Sequence, residues 1–598
     1  MIPPAARTLR PAACRQLAWA AWGAFVAAGF GASAETEAAS PAAAPPALFE
    51  DRTATLGVDF DHRIFATGEK YMPENMGGGA AVLDVDGDGR LDLFFVQGAP
   101  VRPAPGPRPA GAEHRLFRQR ADGTFRDASS DLGPRGTPGV GMGVCFGDID
   151  RDGDLDLYVT HYGPDVLYRN RGDGTFENAT DPAGLGAPTW SSGCSFFDAD
   201  RDGDLDLFVA AYVDFTLENH RYCGNARKKL RSYCHPDVYG PAADSFYLND
   251  GSGRFTERSA EAGILRVAAP PGARGGDAGA SGGGLTRDAK GLGVMAADLD
   301  GDGDQDILVA NDSTMNHLYL GNGRGSFEES ALFAGVGFSG SGAAEAGMGI
   351  VLADLDEDLR LDLLLTHLDQ ETNTLFSNAG DGLFVDRSDP SGLGPPSLPW
   401  VAFGAVALDA DLDSDLDVAV VNGHIIDNIA LFDPARRHAQ PAQFFERAEG
   451  RFMHRVGALG TGPMVGRGLV AADLDADGDE DLIVTQNGGP ARVLINVRGD
   501  GGRSLTLRLK PGTSSAPSGF GALVRIRLED RTLLRTVPNA GSYFSQGPPE
   551  IVVGLGEKGA VEGLEVEWPS GTISRHEAPG PGADRAVLVL EEPPPAPP

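Results

Sequence analysis

Four aspartates within nine residues, spaced D-x-D-x-D-x-x-x-D, occur seven times between residues 84 and 481. The sets are Asp84, Asp86, Asp88 and Asp92; Asp148, Asp150, Asp152 and Asp156; Asp198, Asp200, Asp202 and Asp206; Asp298, Asp300, Asp302 and Asp306; Asp354, Asp356, Asp358 and Asp362; Asp409, Asp411, Asp413 and Asp417; and Asp473, Asp475, Asp477 and Asp481. Carboxylates held this close in a folded loop repel one another unless a cation sits among them, and an all-oxygen shell selects a hard ion such as calcium. A single D-x-D would be read as an Asx turn cap, but seven complete copies point to metal. Between strands, the economical role of that metal is to fasten the fold.

The loops are not EF-hands. Position 12, which must be a bidentate glutamate, is Phe95, Val159, Val209, Val309, Leu365, Val420 and Val484. The segment after each loop is short and β-branched, as in Leu-Tyr-Val-Thr at 157–160, and reads as a strand. A second apolar segment, a Gly-rich turn and a phenylalanine then recur, as in Leu167 to Phe176, which describes a β-hairpin. Five residues before each first aspartate stands a glycine: Gly79, Gly143, Gly193, Gly293, Gly349, Gly404 and Gly468. Glycine inside a strand marks the close approach of another backbone, as where innermost strands converge on an axis.

Each unit is thus strand, metal loop, strand and hairpin, and seven units predict an all-β, seven-bladed β-propeller over residues 49–500. The pattern that ends the hairpins also appears at Phe49-Glu50-Asp51-Arg52-Thr53 and is missing from the seventh unit, so the N-terminal segment is expected to complete the last blade. The long interval from Asp198 to Asp298 holds two insertions, about 219–242 and 268–290. Residues 503–590 carry strand patterns without a metal motif and predict a separate small β-domain, followed by a proline-rich disordered tail at 591–598.

The formal charge of −35 argues against nucleic acid as a partner. Seven calcium ions would return fourteen positive charges, bringing it to about −21. Residues 1–34 have arginines, an apolar run from Leu17 to Phe30 and Ala32-Ser33-Ala34, the pattern of a secretory signal peptide; 35–48 reads as a disordered leader. No span remains to cross a membrane once the signal is removed, so the chain is expected to be secreted, periplasmic or at the cell surface. In that compartment Cys223 and Cys234 are expected to close the first insertion as a disulfide, while Cys145 and Cys194 read as small buried hydrophobes.

The loop pattern resembles the FG-GAP/VCBS repeats of integrin-α-like propellers. The block containing Gly519-Phe-Gly521-Ala522, Gly541-Ser542-Tyr543 and Val566-Glu567-Trp568-Pro569-Ser570-Gly571 is similar to the ASPIC/UnbV domain. Together they resemble bacterial relatives of cartilage acidic protein. The resemblance implies calcium held by side chains at positions 1, 3, 5 and 9 and by the backbone carbonyl of position 7, occupied by Arg90, Asp154, Asp204, Asp304, Arg360, Asp415 and Asp479. It implies extracellular adhesion or assembly and supplies no reaction. The loop glycine is replaced by Leu359 in the fifth copy and Ser414 in the sixth, so these two sites are expected to bind more weakly.

The fourteenth residue from each first aspartate is Gln97, His161, Ala211, Asn311, His367, Asn422 and Gln486. With His424 and the cysteine loop, the polar members could form a ring lining a surface for glycan or peptide; alternatively they satisfy backbone groups at strand ends. The leading reading is therefore a calcium-binding interaction, adhesion or scaffold protein with an extracellular protein or glycan as partner. The alternative is a glycan lyase or hydrolase using the propeller face, which needs an acid–base pair that leaves no sequence signature. Two Arg-Gly-Asp tripeptides, Arg171-Gly172-Asp173 and Arg498-Gly499-Asp500, invite an adhesion reading, but the first has a conformational reason to occur in a hairpin turn.

Overall fold

The computed structural model describes residues 47–102, 109–133, 139–186, 190–264, 289–498, 502–556, 559–580 and 584–594. The expected signal peptide, nearly all of the leader and most of the second insertion lie outside these residues. Residues from Pro45 onward form one compact unit. Among the described residues no helix is long and apolar enough to cross a membrane.

Among the described residues, seven four-stranded antiparallel sheets succeed one another along residues 49–496, numbered here as blades one to seven. Blade one comprises Ala80–Leu83, Asp92–Phe95, Arg115–Gln119 and Phe125–Asp127, and the later blades repeat that order. Blade seven takes its outermost strand from the N-terminus: Phe49–Asp51 pairs with Arg492–Asn496, as the repeat phase predicts. The first strands touch in a closed cycle, the seventh returning to the first, which is the arrangement of a β-propeller. Because each blade is covered on both faces by its neighbours, second strands such as Asp206–Ala211 are buried along their length and do not alternate. The core lies between blades; Leu93, Phe95 and Phe117 of blade one meet Val470, Ile483 and Val493 of blade seven.

The repeating glycines have the predicted cause. A Cβ at Gly143, Gly193, Gly293, Gly349 or Gly404 would press into a backbone carbonyl of the next blade's first strand, at 2.7 Å from Ser192 O and 2.5 Å from Met348 O in two of them. At Gly79 and Gly468 the obstructing groups are Phe544 and Ser545, from far along the chain.

Those two residues come from the C-terminal block. It forms a three-stranded sheet of Glu550–Gly554, Ser504–Lys510 and Ala586–Glu591, and a four-stranded sheet of Thr532–Thr536, Leu523–Leu528, Val561–Glu567 and Ile573–Glu577. The block is not separate from the propeller. Residues 539–546 leave it and run among the innermost strands, filling the axis. Ser542 N–H donates to Ile350 O at 2.7 Å and Ser542 O accepts from Ile350 N–H at 3.1 Å; Val144 N–H donates to Phe544 O at 3.1 Å; Gln546 N–H donates to Ala80 O at 3.0 Å. Gln546 Oε1 accepts from Phe146 N–H at 2.8 Å. The inner edges of the first strands of blades one, two and five, which would otherwise be unpaired, are satisfied by this plug. At its tip Tyr543 stacks on Phe544, with ring centroids 3.8 Å apart, and meets Phe403 edge-on at 4.9 Å.

Two further expectations are corrected. Cys145 and Cys194 are joined as a disulfide, linking the first strands of blades two and three across 49 residues, so they are not free buried thiols. Both cysteines sit in strands that the ring closure lays side by side. Ordered chain also continues into the expected tail: the last strand includes Glu591, and Glu592 accepts from Gly512 N–H and from the hydroxyls of Ser515 and Ser570. Cys223 and Cys234 form the expected disulfide around a two-stranded hairpin.

Candidate metal loops

Each nine-residue loop joins the first and second strands of a blade and is shaped by its own carboxylates. The position-1 aspartate accepts from the position-6 N–H in all seven loops, at 2.7 Å from Gly89 to Asp84 and 2.9–3.1 Å from Ser414 to Asp409 and Leu359 to Asp354. That bond requires a left-handed position 6, and φ there is 84° at Gly89 and 97° at Gly153. Leu359 and Ser414 keep the same conformation, with φ of 67° and 84°, at a cost of about 1 kcal/mol each. The position-5 aspartate accepts from the position-7 N–H, as Asp88 does from Arg90 at 3.0 Å and Asp302 from Asp304 at 2.8 Å. The Asx-turn role is thus filled by the same side chains that the spacing offers to a cation.

Position 9 does something the spacing does not announce. One oxygen of Asp92, Asp156, Asp206, Asp306, Asp362, Asp417 and Asp481 accepts from an N–H of the blade's third strand at 2.7–2.9 Å. In six of the seven the other oxygen accepts from the position-2 N–H of its own loop. These carboxylates are buried, and burial, reinforced by the neighbouring aspartates, pushes their pKa up: to about 7 for Asp92, about 8 for Asp156 and about 9 for Asp417.

The carboxylate groups converge. Ligand atoms of Asp84, Asp86 and Asp92 lie within 4.8 Å of one another, as do those of Asp148, Asp150 and Asp152; of Asp198, Asp200 and Asp206; of Asp298, Asp300 and Asp302; and of Asp354, Asp356 and Asp362. Asp86 Oδ1, Asp150 Oδ1, Asp198 Oδ1 and Asp200 Oδ1 are buried without a hydrogen-bond partner. Orphaned carboxylate oxygens in such a cluster are what a hard cation would satisfy, while the second oxygens of Asp86 and Asp150 pair with Arg118 and Arg169. Position-7 side chains take two courses: Asp204 pairs with Arg151 at 3.1 Å and Asp304 with Arg201 at 2.7 Å, across to the preceding loop, whereas Arg90 and Arg360 pair with Asp88 and Asp358, the position-5 carboxylates of their own loops. Arg151 and Arg201 are position 4 of the preceding loops, so loops two, three and four are chained side to side.

Sequence reasoning missed a second link between loops. Asn170, Asn249, Asn378 and Asn496, on third strands, donate from Nδ2 to the position-2 carbonyl of the preceding blade's loop: Val85, Ile149, Leu299 and Ala410, at 2.8–3.2 Å. The signal was present as an asparagine at the same place in each of these hairpins.

The C-terminal block rests on the loop face. Arg151 donates to Thr513 O at 3.0 Å, Gly554 N–H to Asp409 Oδ2 at 3.1 Å, Gly556 N–H to Leu412 O at 2.8 Å and Arg535 to Ser414 O at 2.9 Å. Arg531 pairs with Glu357 at 3.2 Å. The two loops without glycine are thus among those the block contacts.

The polar ring does not line an open surface. Gln97, His161, Asn311, His367, Asn422, His424 and Gln486 are all buried, the most accessible being Gln486 at 8%. Gln97 accepts from Arg63 N–H and donates to Asp61 O, Asn311 donates to Met315 O, Asn422 to Pro441 O and Gln486 to Pro490 O. His367 Nδ1 lies 2.8 Å from Thr372 O, His424 Nδ1 accepts from Ile426 N–H, and His161 meets His114 at 3.2 Å. These groups hold the loops that come after the second strands. In the Arg-Gly-Asp turn, Arg171 pairs with Glu177 and Asp173 accepts from Thr175.

The FG-GAP-like repeat family matches residues 84–159, 148–209 and 298–365, and the ASPIC and UnbV family matches 512–594. Cartilage acidic protein 1 of Mus musculus is 27% identical over 296 residues, covering 48% of this chain and 43% of that protein. The Homo sapiens protein is 27% identical over 304 residues, covering 50% and 44%. The chain therefore spans less than half the length of these relatives. Similar solved structures include BBS1N in complex with ARL6DN, at 10% identity, 76% of this chain, 98% of that chain and a TM-score of 0.39. An Agrocybe aegerita lectin that recognises non-reducing terminal N-acetylglucosamine has 16% identity, 63% and 79% coverage and a TM-score of 0.35. The chain thus carries FG-GAP-like repeats followed by an ASPIC and UnbV domain, and has cartilage acidic protein 1 among its relatives.

Proposed function

We propose that the chain is an extracellular, calcium-stabilised interaction or scaffold module, in which the aspartate loops hold calcium and the ions fix the face on which the C-terminal block rests. The observation that carries this reading is the convergence of buried, unpartnered carboxylate oxygens in repeated loops. The side chains at positions 1, 3, 5 and 9, together with the carbonyl at position 7, would surround each ion. The two disulfides suit an oxidising compartment. The partner is an extracellular protein or glycan that binds a surface the metals hold in place.

Elemental analysis of protein purified in calcium should find about five to seven ions per chain. One ion or none would overturn the reading. A pH series gives an independent check. Without metal, the position-9 carboxyls have folded-state pKa values of about 7 to 9 in Asp92, Asp156 and Asp417, above the unfolded value, so the folded state binds more protons. Stability is then retained at low pH and lost as pH rises through those values. In chelator the unfolding midpoint should therefore rise as pH falls from about 9 to 6, whereas in calcium it should fall, because protons compete with the ion. Parallel pH dependence in the two conditions would contradict the assignment.

A further inference from the structure

We infer that the hairpin closed by Cys223 and Cys234, with the groove beside it, is a docking site for an acidic peptide segment carrying an apolar side chain. The inference rests on the interaction-module reading above and names the partner's chemistry.

The hairpin is a rigid display. Its strands pair Cys223 with Ser232, Gly224 with Arg231 and Asn225 with Leu230, below the disulfide. Asn225 caps the turn by accepting from Lys228 N–H at 3.1 Å, and Lys229 closes it in the left-handed region at φ 52°. The turn therefore places Arg227, Lys228 and Lys229 in succession at the hairpin tip, all exposed and with no ion pair among the described residues, Arg227 on the groove itself. In a chain of formal charge −35 this is an unusual local excess of positive charge.

Acids on the adjoining segments do not cancel it, because they are matched by other cations. Glu69 pairs with Arg231 at 2.6 Å and Asp427 with Lys70 at 2.5 Å, while Asp433 shares Arg436, at 3.3 Å, with Asp369 at 2.5 Å. Arg437 is exposed and, among the described residues, donates only to the carbonyls of Pro434 and Arg436.

Beside the cationic tip lies an open groove of about 720 Å³. Arg227 and Tyr233 line it on the hairpin side, and Ile426, Ile429 and Phe432 on the other. Phe432 is 38% exposed and the adjacent Leu431 59%. The two walls are tied together, since Asn428 donates to Arg231 O at 2.9 Å, so the groove is formed before anything binds. An apolar floor beside unpaired cations complements a peptide with an apolar anchor flanked by carboxylates. Asn225 and Ser232 also line the groove, so the case for a peptide over a polysaccharide rests on the apolar anchor that Ile429 and Phe432 invite, and an acidic polysaccharide is an arm of the test.

The test uses the full calcium-loaded chain and fluorescence polarisation of a labelled peptide with glutamates flanking a central phenylalanine. Binding should weaken at least about tenfold in the triple variant Arg227→Glu, Lys228→Glu, Lys229→Glu and in Phe432→Ser, and should fall as salt rises. Both variants alter exposed or half-exposed side chains, and their unfolding midpoints should match the parent. Undiminished binding in the triple variant would overturn the inference, as would equal binding of a peptide with serine in place of phenylalanine. Binding of polygalacturonate but not of the peptide would assign the site to another class of ligand and likewise overturn it. Failure of peptide binding in a chain that still unfolds earlier in chelator would remove this inference while leaving the calcium-stabilised module intact.

Discussion

Chelating calcium is expected to lower the unfolding midpoint by at least about 10 °C, and restoring calcium to recover it. An ion that binds only the folded chain adds about 1.4 kcal/mol per site at ten times its dissociation constant and about 4 kcal/mol at a thousand times. Seven loops, even at the weak end, supply about 10 kcal/mol, and a chain of this length shifts by roughly 1 °C per kcal/mol. The loss has a structural route. Without the ion, the carboxylates of Asp84, Asp86 and Asp92 repel one another, yet Asp92 also joins its loop to the third strand through Val85 and Gln119. Repulsion therefore loosens the blade itself. A midpoint unmoved by chelator would contradict this account of the loops.

Gly79→Ala should be among the most damaging single substitutions in the chain. Its Cβ would overlap the carbonyl oxygen of Phe544, a contact of backbone on backbone from which neither side can swing away. Either the first strand of blade one shifts or the plug withdraws, and the bonds of Gln546 with Ala80 and Val82 are lost with it. A cost above about 3 kcal/mol is expected, with new proteolytic cleavage within 538–549. Gly462→Ala is the control, because a Cβ there meets nothing within 4 Å. Equal stability of the two variants would show that the plug is not packed as described.

The contrast between Gly79 and Gly193 marks how far the amino-acid pattern can be read. Both glycines say that a backbone comes close, and at Gly193 the neighbour is the next repeat, which periodicity already supplies. At Gly79 the neighbour is Phe544, more than 460 residues away, in a stretch that on its own looks like a loop between two strands. Periodicity also places the N-terminal strand against Arg492–Asn496, because the missing element of one repeat appears elsewhere. It cannot pair Cys145 with Cys194, since that needs the lateral register of neighbouring blades.

The candidate site shows the same division. Aspartate spacing by itself suggests a cation site, but the duty of position 9 as an acceptor for third-strand amides belongs to tertiary packing. The polar ring departs from expectation for a related reason. Equivalent positions on equivalent strands do share one end of the propeller, but Gln97, Asn311 and Gln486 are covered by the loops whose carbonyls they bind. Repeats fix where a residue stands along its blade, and the insertions and loops decide whether it meets solvent.

Anomalous diffraction from crystals of the calcium-loaded protein would decide whether the aspartate loops are cation sites. An anomalous peak is expected in at least five of the seven loops, about 2.3–2.6 Å from the carboxylates of positions 1, 3, 5 and 9, with loops five and six the weakest. Loops free of anomalous density at saturating calcium would contradict it.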